Sequence, residues 1–303
     1  MRRWYAIRSS LALAVALVVI LTLWERPHHV EADGPAAAAS PSSSALLSEF
    51  VGVPGFDISW PQCGKQYPYG PVAFSVIGLN GGRPYTVNPC FLDQYRWAQR
   101  VETRPAVYVN MEFPKPGRVE ALSGPYGVCL ETDDWCRAYN YGYGIAREVV
   151  VRAAAYGVSP SMWWLDVETG NYWAADPIYN AQVVRGALDY FKEKHLPVGI
   201  YGTPRQWRII AGNATPGVVV WTAGASGIEG AAARCTAAYA FGGGPVVMVQ
   251  YYDYGFDTNY ICPGTEALFP HPQVHPIVDG PRGRGVSAAM PLPFWRVVPM
   301  VGN

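Results

Sequence analysis

Charge is what this 303-residue sequence has least of. Charged residues make up 15% of it, against roughly 25% in an ordinary soluble domain, and 23 Lys and Arg balance 23 Asp and Glu. No basic run follows Arg8. Neutralising a phosphate backbone requires clustered cations, so nucleic acid is excluded as a partner. Metal-binding order is also missing, because there is no C-x-x-C spacing and the five histidines stand apart from the cysteines, whereas structural zinc uses both kinds of ligand in order. Neither a metal nor a cofactor is expected. A G-x-S-x-G elbow and a Gly-Lys-Thr phosphate cradle are absent. His195 is the only histidine between Val51 and Cys262, and it falls at a helix end beside Lys194, where a cation suits the dipole. Ser/His and Cys/His catalysis therefore lacks its base. Tyr141-Gly142-Tyr143-Gly144 is a bare G-x-G inside a helical stretch, not a turn after a strand, and makes no dinucleotide cradle.

What is present is apolar, aromatic and rich in turn-formers: 50% hydrophobic residues, 14% aromatic, 32 Gly and 27 Pro. That mixture excludes a disordered polyelectrolyte and a coiled coil. Arg2, Arg3 and Arg8 precede an apolar run from Leu11 to Trp24, and Val30-Glu31-Ala32 follows, which reads as a secretory leader over residues 1–32. The run is short of the roughly 20 residues that span a bilayer, so a cleaved signal is favoured over an uncleaved membrane anchor. Both readings place the rest of the chain outside the cytoplasm. Residues 33–50 are rich in Ala, Ser and Pro and read as a flexible linker. The folded domain is expected over 51–264. Residues 265–303 form a Pro-rich tail, in which His271 and His275 read as solvent-exposed.

Six cysteines, Cys63, Cys90, Cys129, Cys136, Cys235 and Cys262, all lie in the exported part. An even count outside the cytoplasm reads as three disulfides. Of the pairings that six cysteines allow, Cys63 with Cys90, Cys129 with Cys136 and Cys235 with Cys262 is preferred, because neighbours close short loops.

Between these flanks, strand-like and helix-like patterns alternate. Short apolar runs at 53–59, 72–79, 106–110, 162–167, 198–201, 218–221 and 246–250 suit strands covered on both faces. The clearest helix starts at Asp176-Pro177, an N-cap followed by Pro at the first helical position. A second runs from about Trp135 to Tyr156 and ends at Gly157 with Pro160 beyond. A third follows Asn88-Pro89 and ends near Arg104-Pro105. Strands linked by helical crossovers predict an α/β fold, a TIM-like (β/α) barrel. At about 210 residues, against a typical 250 or so, this barrel would be trimmed.

In such a barrel chemistry collects where strands end. Three strand ends supply four carboxylates: Asp57 on the first, Asp166 and Glu168 on the fourth, and Asp257 beyond the last. Asp166 and Glu168, two residues apart, leave the same face of an extended strand, roughly 6.6 Å apart. Crowded together and packed against Trp163 and Trp164, such acids cannot all ionise, and one raised pKa keeps a carboxyl protonated for general acid work. Aromatic residues beside the strand ends, Trp60, Trp164, Trp173, Trp207, Trp221, Tyr251 and Tyr254, offer flat faces for pyranose rings. Trp163 and Trp164 are consecutive and point to opposite sides, so at most one faces the site.

The ordered landmarks Gly55-Phe56-Asp57-Ile58-Ser59, Asp166-Val167-Glu168, Gly199-Ile200-Tyr201, Trp221-Thr222-Ala223, Gln250-Tyr251 and Asp257-Thr258-Asn259 resemble glycoside hydrolase family 25, lysozymes that cleave β-1,4 bonds in peptidoglycan. The resemblance spans roughly Gly52 to Cys262. It implies an incomplete barrel in which Glu168 protonates the leaving oxygen, Asp166 assists by orienting the substrate's acetamido group, and Asp57 and Asp257 line the sugar site. Participation by the substrate itself is also implied. Two departures stand out: Ile77-Gly78-Leu79-Asn80-Gly81-Gly82 where relatives usually carry a Lys-Ala-Thr-Glu-Gly type sequence, and Tyr108-Val109-Asn110-Met111-Glu112 in place of Tyr-His-Phe. The Gly/Pro-rich loop 113–135 has no counterpart in compact members. The chain looks like a divergent branch of the kind seen in secreted actinobacterial proteins. Substrate contacts are expected from Trp60, Asn80, Asn110, Trp164, Tyr201, Trp221, Gln250, Tyr251 and Asn259. The expected protein is thus a monomeric, secreted or surface-tethered hydrolase whose partner is cell-wall polysaccharide. The alternative is an inactive hydrolase-like module that binds carbohydrate without turnover.

Overall fold

The structure, a computed structural model, describes residues 54–69, 72–100, 104–253 and 255–268. The expected leader and linker lie outside the described residues, as does the tail beyond Leu268 with His271 and His275.

Eight strands close into a barrel. In chain order they are β1 (Gly55–Ile58), β2 (Ser75–Gly78), β3 (Ala106–Asn110), β4 (Trp163–Asp166), β5 (Val198–Gly202), β6 (Val220–Ala225), β7 (Val246–Asp253) and β8 (Phe256–Ile261). Neighbours from β1 through β7 are parallel. β8 runs antiparallel to both β7 and β1 and closes the sheet. The seven expected strands are all present. β8 is the one not expected, since Asp257 and Asn259 read as loop. Its Asp and Asn are poor strand formers, yet Thr258 and Asn259 are buried and antiparallel pairing that starts at Phe256 with Asp253 makes it the second arm of a hairpin with β7. The barrel is trimmed in its helices and not in its sheet. Among the described residues the β1–β2 crossover carries only a 3-10 turn at Trp60–Gln62, and the last connection is that hairpin.

Five α-helices cover the barrel among the described residues: α1 (Phe91–Ala98), α2 (Asp134–Ala155), α3 (Pro177–Glu193), α4 (Pro204–Ala211) and α5 (Gly227–Ala233). α3 starts as expected, with the Asp176 carboxylate accepting from the Ile178 amide. At α2 the Asp133 side chain accepts from Cys136 N–H, and Gly157 beyond its end takes a left-handed φ of 70°. α1 stops at Ala98, short of the expected Arg104. The unexpected α4 and α5 have 8 and 7 residues, too few turns for a helical period to stand out.

Alternation along the strands makes two cores. One fills the lumen with Val76, Trp164, Tyr201, Trp221 and Met248. The other lies between strands and helices, with Ile77, Val109, Trp163, Leu165 and Phe191. The consecutive tryptophans divide as the strand period requires, Trp163 against Phe191 at 5.2 Å and Trp164 against Trp221 at 5.6 Å. The Tyr141-Gly142-Tyr143-Gly144 stretch has a packing role. A Cβ on Gly142 would sit 1.8 Å from the Val183 carbonyl oxygen of α3, and one on Gly186 would sit 2.1 Å from the Tyr139 carbonyl oxygen of α2, so each glycine makes room for the other helix's backbone.

The three disulfides are Cys63–Cys90, Cys129–Cys136 and Cys235–Cys262, the preferred pairing. Each is worth about 2–4 kcal/mol where it closes an unfolded loop. The segment from Phe113 to Asp133 leaves the barrel and forms a small ribbon, Ser123–Gly124 against Gly127–Val128. Asn140 of α2 pins it by accepting from Tyr126 N–H and donating to the Gly127 carbonyl. Among the described residues no helix is long and apolar enough to cross a membrane.

Gly142→Ala is expected to lower stability by about 1–3 kcal/mol, because the overpacking strain outweighs the roughly 1 kcal/mol that Ala gains in helix propensity. Gly170→Ala, where the added methyl meets nothing within 4 Å, should leave the thermal midpoint unchanged. Thermal unfolding of both variants beside the parent checks this.

Candidate active site

Aromatic rings plug the lumen beneath the C-terminal mouth of the barrel. Trp221 is the hub, 4.4 Å from Tyr201, 5.6 Å from Trp164 and 6.5 Å from Tyr108 between ring centroids. On this floor stand the acids. Strand register sets their order: Asp57 of β1 is level with Asp257 of β8, and Asp166 of β4 lies between Asn110 of β3 and Tyr201 of β5. Glu168 follows two residues later.

Asp57 is buried. Its Oδ2 accepts from Gln250 Nε2 at 3.0 Å and from Asn259 Nδ2 at 2.7 Å. Those amides are fixed from behind, with Tyr201 OH donating to Gln250 Oε1 at 2.8 Å and the Trp221 indole N–H to Asn259 Oδ1 at 2.8 Å. Burial, and next the charge of Asp257, push the Asp57 carboxyl up to about 8, with Glu168 adding to the rise while the two amide donors oppose it. At neutral pH this carboxyl is mostly protonated. Asp166 is also buried, accepts from Asn110 Nδ2 on Oδ2, and has no hydrogen-bond partner on Oδ1 among the described residues. Burial, then Glu168 and Asp57, hold its carboxyl well above the ordinary range.

Glu168 is half-buried. Its Oε1 accepts from Gln206 Nε2 at 3.3 Å, and its main-chain carbonyl accepts from the Trp173 indole N–H at 2.7 Å. Burial raises its pKa, Gln206 draws it down and Asp257 adds to the rise. Asp257 keeps an exposed surface, yet loss of water around its carboxyl raises its pKa as well. The four acids therefore share one mouth and act on one another's ionisation. Removing water and adding like charge both favour the neutral acid, and a neutral carboxyl beside an ionised one is the arrangement that acid/base chemistry needs.

The residues expected to touch substrate separate into supports and rim. Gln250 and Asn259 hold Asp57, and Asn110 holds Asp166. Asn80 is buried and clamps Asn110 from both sides, donating to its carbonyl and accepting from its N–H, each at 3.2 Å. Trp164, Trp221 and Tyr201 belong to the lumen plug; Trp164 and Trp221, at 0% and 1% exposure, have no free face for a sugar, which corrects the stacking role expected of them. Tyr251 is corrected too. It is buried and packs in the core between strands and helices, on the opposite side of β7 from Gln250. Trp207 is buried, its ring tilted against Phe241 at 5.7 Å, and Tyr254 lies outside the described residues. The rim keeps Trp60, 49% exposed after β1, and Trp173 beside Glu168. Gln206 was not anticipated. The signal for it was the N-cap pattern Thr203-Pro204-Arg205-Gln206, whose Gln lands at the N-terminal turn of α4. Among the described residues, no group of three or more His, Cys, Asp or Glu is placed to hold a metal ion.

Residues 135–243 match the model of a family described as Lysozyme-like protein 1. This stretch is similar to that family. It contains Asp166, Glu168 and Gln206, while Asp57 and Asp257 fall outside it. Among solved structures, a family GH25 lysozyme from Aspergillus fumigatus is 18% identical, with 71% of this chain and 97% of that one covered at a TM-score of 0.44. The catalytic domain of the endolysin ply40 from bacteriophage P40 of Listeria monocytogenes is 16% identical, with 71% and 96% covered and a TM-score of 0.44. A family 25 glycosyl hydrolase from Bacillus anthracis is 14% identical, with 72% and 93% covered and the same TM-score of 0.44. No curated protein sequence matches the chain.

The raised pKa of Asp57 has a sign in stability. Its folded value of about 8 exceeds the ordinary aspartate value of 3.8, so its stabilising contribution is complete below about pH 4 and is lost as pH rises through 8. Asp57→Asn cannot ionise and escapes that loss. Its thermal midpoint should equal the parent's near pH 4 and rise increasingly above it toward pH 8, as read by unfolding scans across that range.

Proposed function

We propose that the protein is a glycoside hydrolase of cell-wall glycan, cleaving β-1,4 linkages of the peptidoglycan type, with Glu168 as its general acid. One observation carries the reading: four carboxyls, of Asp57, Asp166, Glu168 and Asp257, converge at the mouth of a (β/α) barrel, where burial raises the pKa of each. Of the four, Glu168 combines a raised pKa with partial exposure and a single amide donor, so it can hold a proton and also reach a substrate oxygen. Asp166 is too deeply held by Asn110 to deliver a proton outward; its role is to orient the acetamido group of the sugar. Asp57, neutral at pH 7 and carrying its proton on the oxygen that accepts no amide bond, offers an O–H donor to a hydroxyl or carbonyl of the sugar. Asp257, across from it, accepts. Trp60 and Trp173 supply the apolar faces at the rim.

Three disulfides suit an oxidising compartment, in keeping with a protein that works outside the cytoplasm. The secretory leader or membrane anchor of residues 1–32, the linker 33–50, the catalytic domain 51–264 and the tail 265–303 complete the proposed organisation. We take the protein to act as a monomer on cell-wall polysaccharide.

Release of reducing ends from purified peptidoglycan, run beside a panel of N-acetylated and non-acetylated glycans, tests the proposal. Glu168→Gln should lower kcat by about 10²–10⁴-fold, while Glu193→Gln, at an exposed acid of α3, should leave it unchanged. Glycan binding with no fragment release, in parent and Glu168→Gln alike, would instead identify a carbohydrate-binding module.

A further inference from the structure

We infer that Gln206 is a positioning residue for Glu168: held by the Thr203 hydroxyl, its side-chain amide clamps one carboxyl oxygen and directs the other, Oε2, toward the cleft as the proton donor. This rests on the reading of Glu168 as the acid.

The geometry is a three-link chain. The Thr203 hydroxyl accepts from the Gln206 main-chain N–H at 3.1 Å, which is the N-cap of α4. Its single proton is then free for Gln206 Oε1, which accepts it at 2.9 Å. A primary amide has one acceptor and one donor end. With the oxygen tied to Thr203, the NH₂ group faces outward, and it donates to Glu168 Oε1 at 3.3 Å. An oxygen that accepts an N–H is the poorer site for a proton, so protonation goes to Oε2.

Register explains why the chain reaches. Asp166 of β4 is paired with Tyr201 of β5, and Glu168 and Thr203 each stand two residues beyond that pair, just past the ends of these adjacent strands. Pro204 opens α4 immediately after Thr203, its ring-locked φ suiting the first helical position. Gln206 then sits in the first turn, beside the acid. Burial and the neighbouring Asp257 push the Glu168 proton on, and the Gln206 donor opposes them. The amide therefore sets both the direction of the acid and the pH at which it holds its proton.

A carbon-detected NMR titration of the Glu168 carboxyl reads this directly, whether or not the protein turns over glycan. In Gln206→Leu, which keeps the Thr203 cap and a good helix former, the Glu168 midpoint should move upward by about half to one pH unit. Thr203→Val should move it the same way by less, and Thr203→Ser should restore the parent value. In the peptidoglycan assay, the alkaline limb of kcat/KM in Gln206→Leu should move upward by the same amount, with kcat lowered about 10-fold and KM little changed. An unchanged Glu168 midpoint in folded Gln206→Leu would overturn the inference. A shifted midpoint in a protein that releases no reducing ends would leave the positioning intact and overturn the glycosidase reading instead.

Discussion

The antiparallel pairing of Phe256–Ile261 with Gly55–Ile58 sets Asp257 level with Asp57, and from Asn259 on the same strand an amide reaches the Asp57 carboxylate. Without that pairing the sheet would stay open between β1 and β7, and water would enter the lumen from the side. Closure is what leaves Asp57 and Asp166 with little hydration, and scarce hydration makes their charges expensive. One strand thus completes the sheet, supplies an acid and dries the neighbourhood of two others.

The aromatic plug performs a second task beneath the acids. Trp221 and Tyr201 fill space, and each also turns a polar end upward to fix an amide that grips Asp57. Both amides donate to the same oxygen, so the geometry of Asp57 is determined while its second oxygen stays uncommitted. Asp166 is treated likewise by Asn110 and the Asn80 clamp behind it. Such groups are held rigidly enough to be chemically useful and are kept from the water that would stabilise their charged forms. A fold selected only for stability would not bury them in this way.

Much of this was legible before any coordinates. Seven strands were visible because each is a short apolar run, covered on both faces and ended by a turn. The D-x-E spacing on β4 made Asp166 and Glu168 point to one place, and Asp176-Pro177 marked a helix start that capping chemistry explains. What was hidden had physical reasons. β8 carries Asp257, level with Asp57, and Asn259, which holds it, and those residues are what a strand pattern ordinarily excludes. The sugar-stacking role read into Trp164, Trp221 and Tyr251 failed because position along a strand does not reveal which side chains the lumen or the outer core has already claimed. Gln206 was missed because α4 is short and its polar reach depends on a register between β4 and β5 that no local pattern contains. The packing role of Gly142 was hidden as well, because its neighbour is the backbone of a helix forty residues on.

The reversal of β8 also sets where the barrel begins and ends. β1 begins at the floor and runs toward the acid-lined mouth, while β8 begins at the mouth and returns, delivering Cys262 back to the floor beside Val247. A barrel of eight parallel strands would end at the mouth and have to carry its last segment back over the outside. Here the two ends of the barrel emerge on the same face, the one turned away from Asp57, Asp166, Glu168 and Asp257. The face that carries the barrel's first and last residues and the face that carries its acids are thus kept apart.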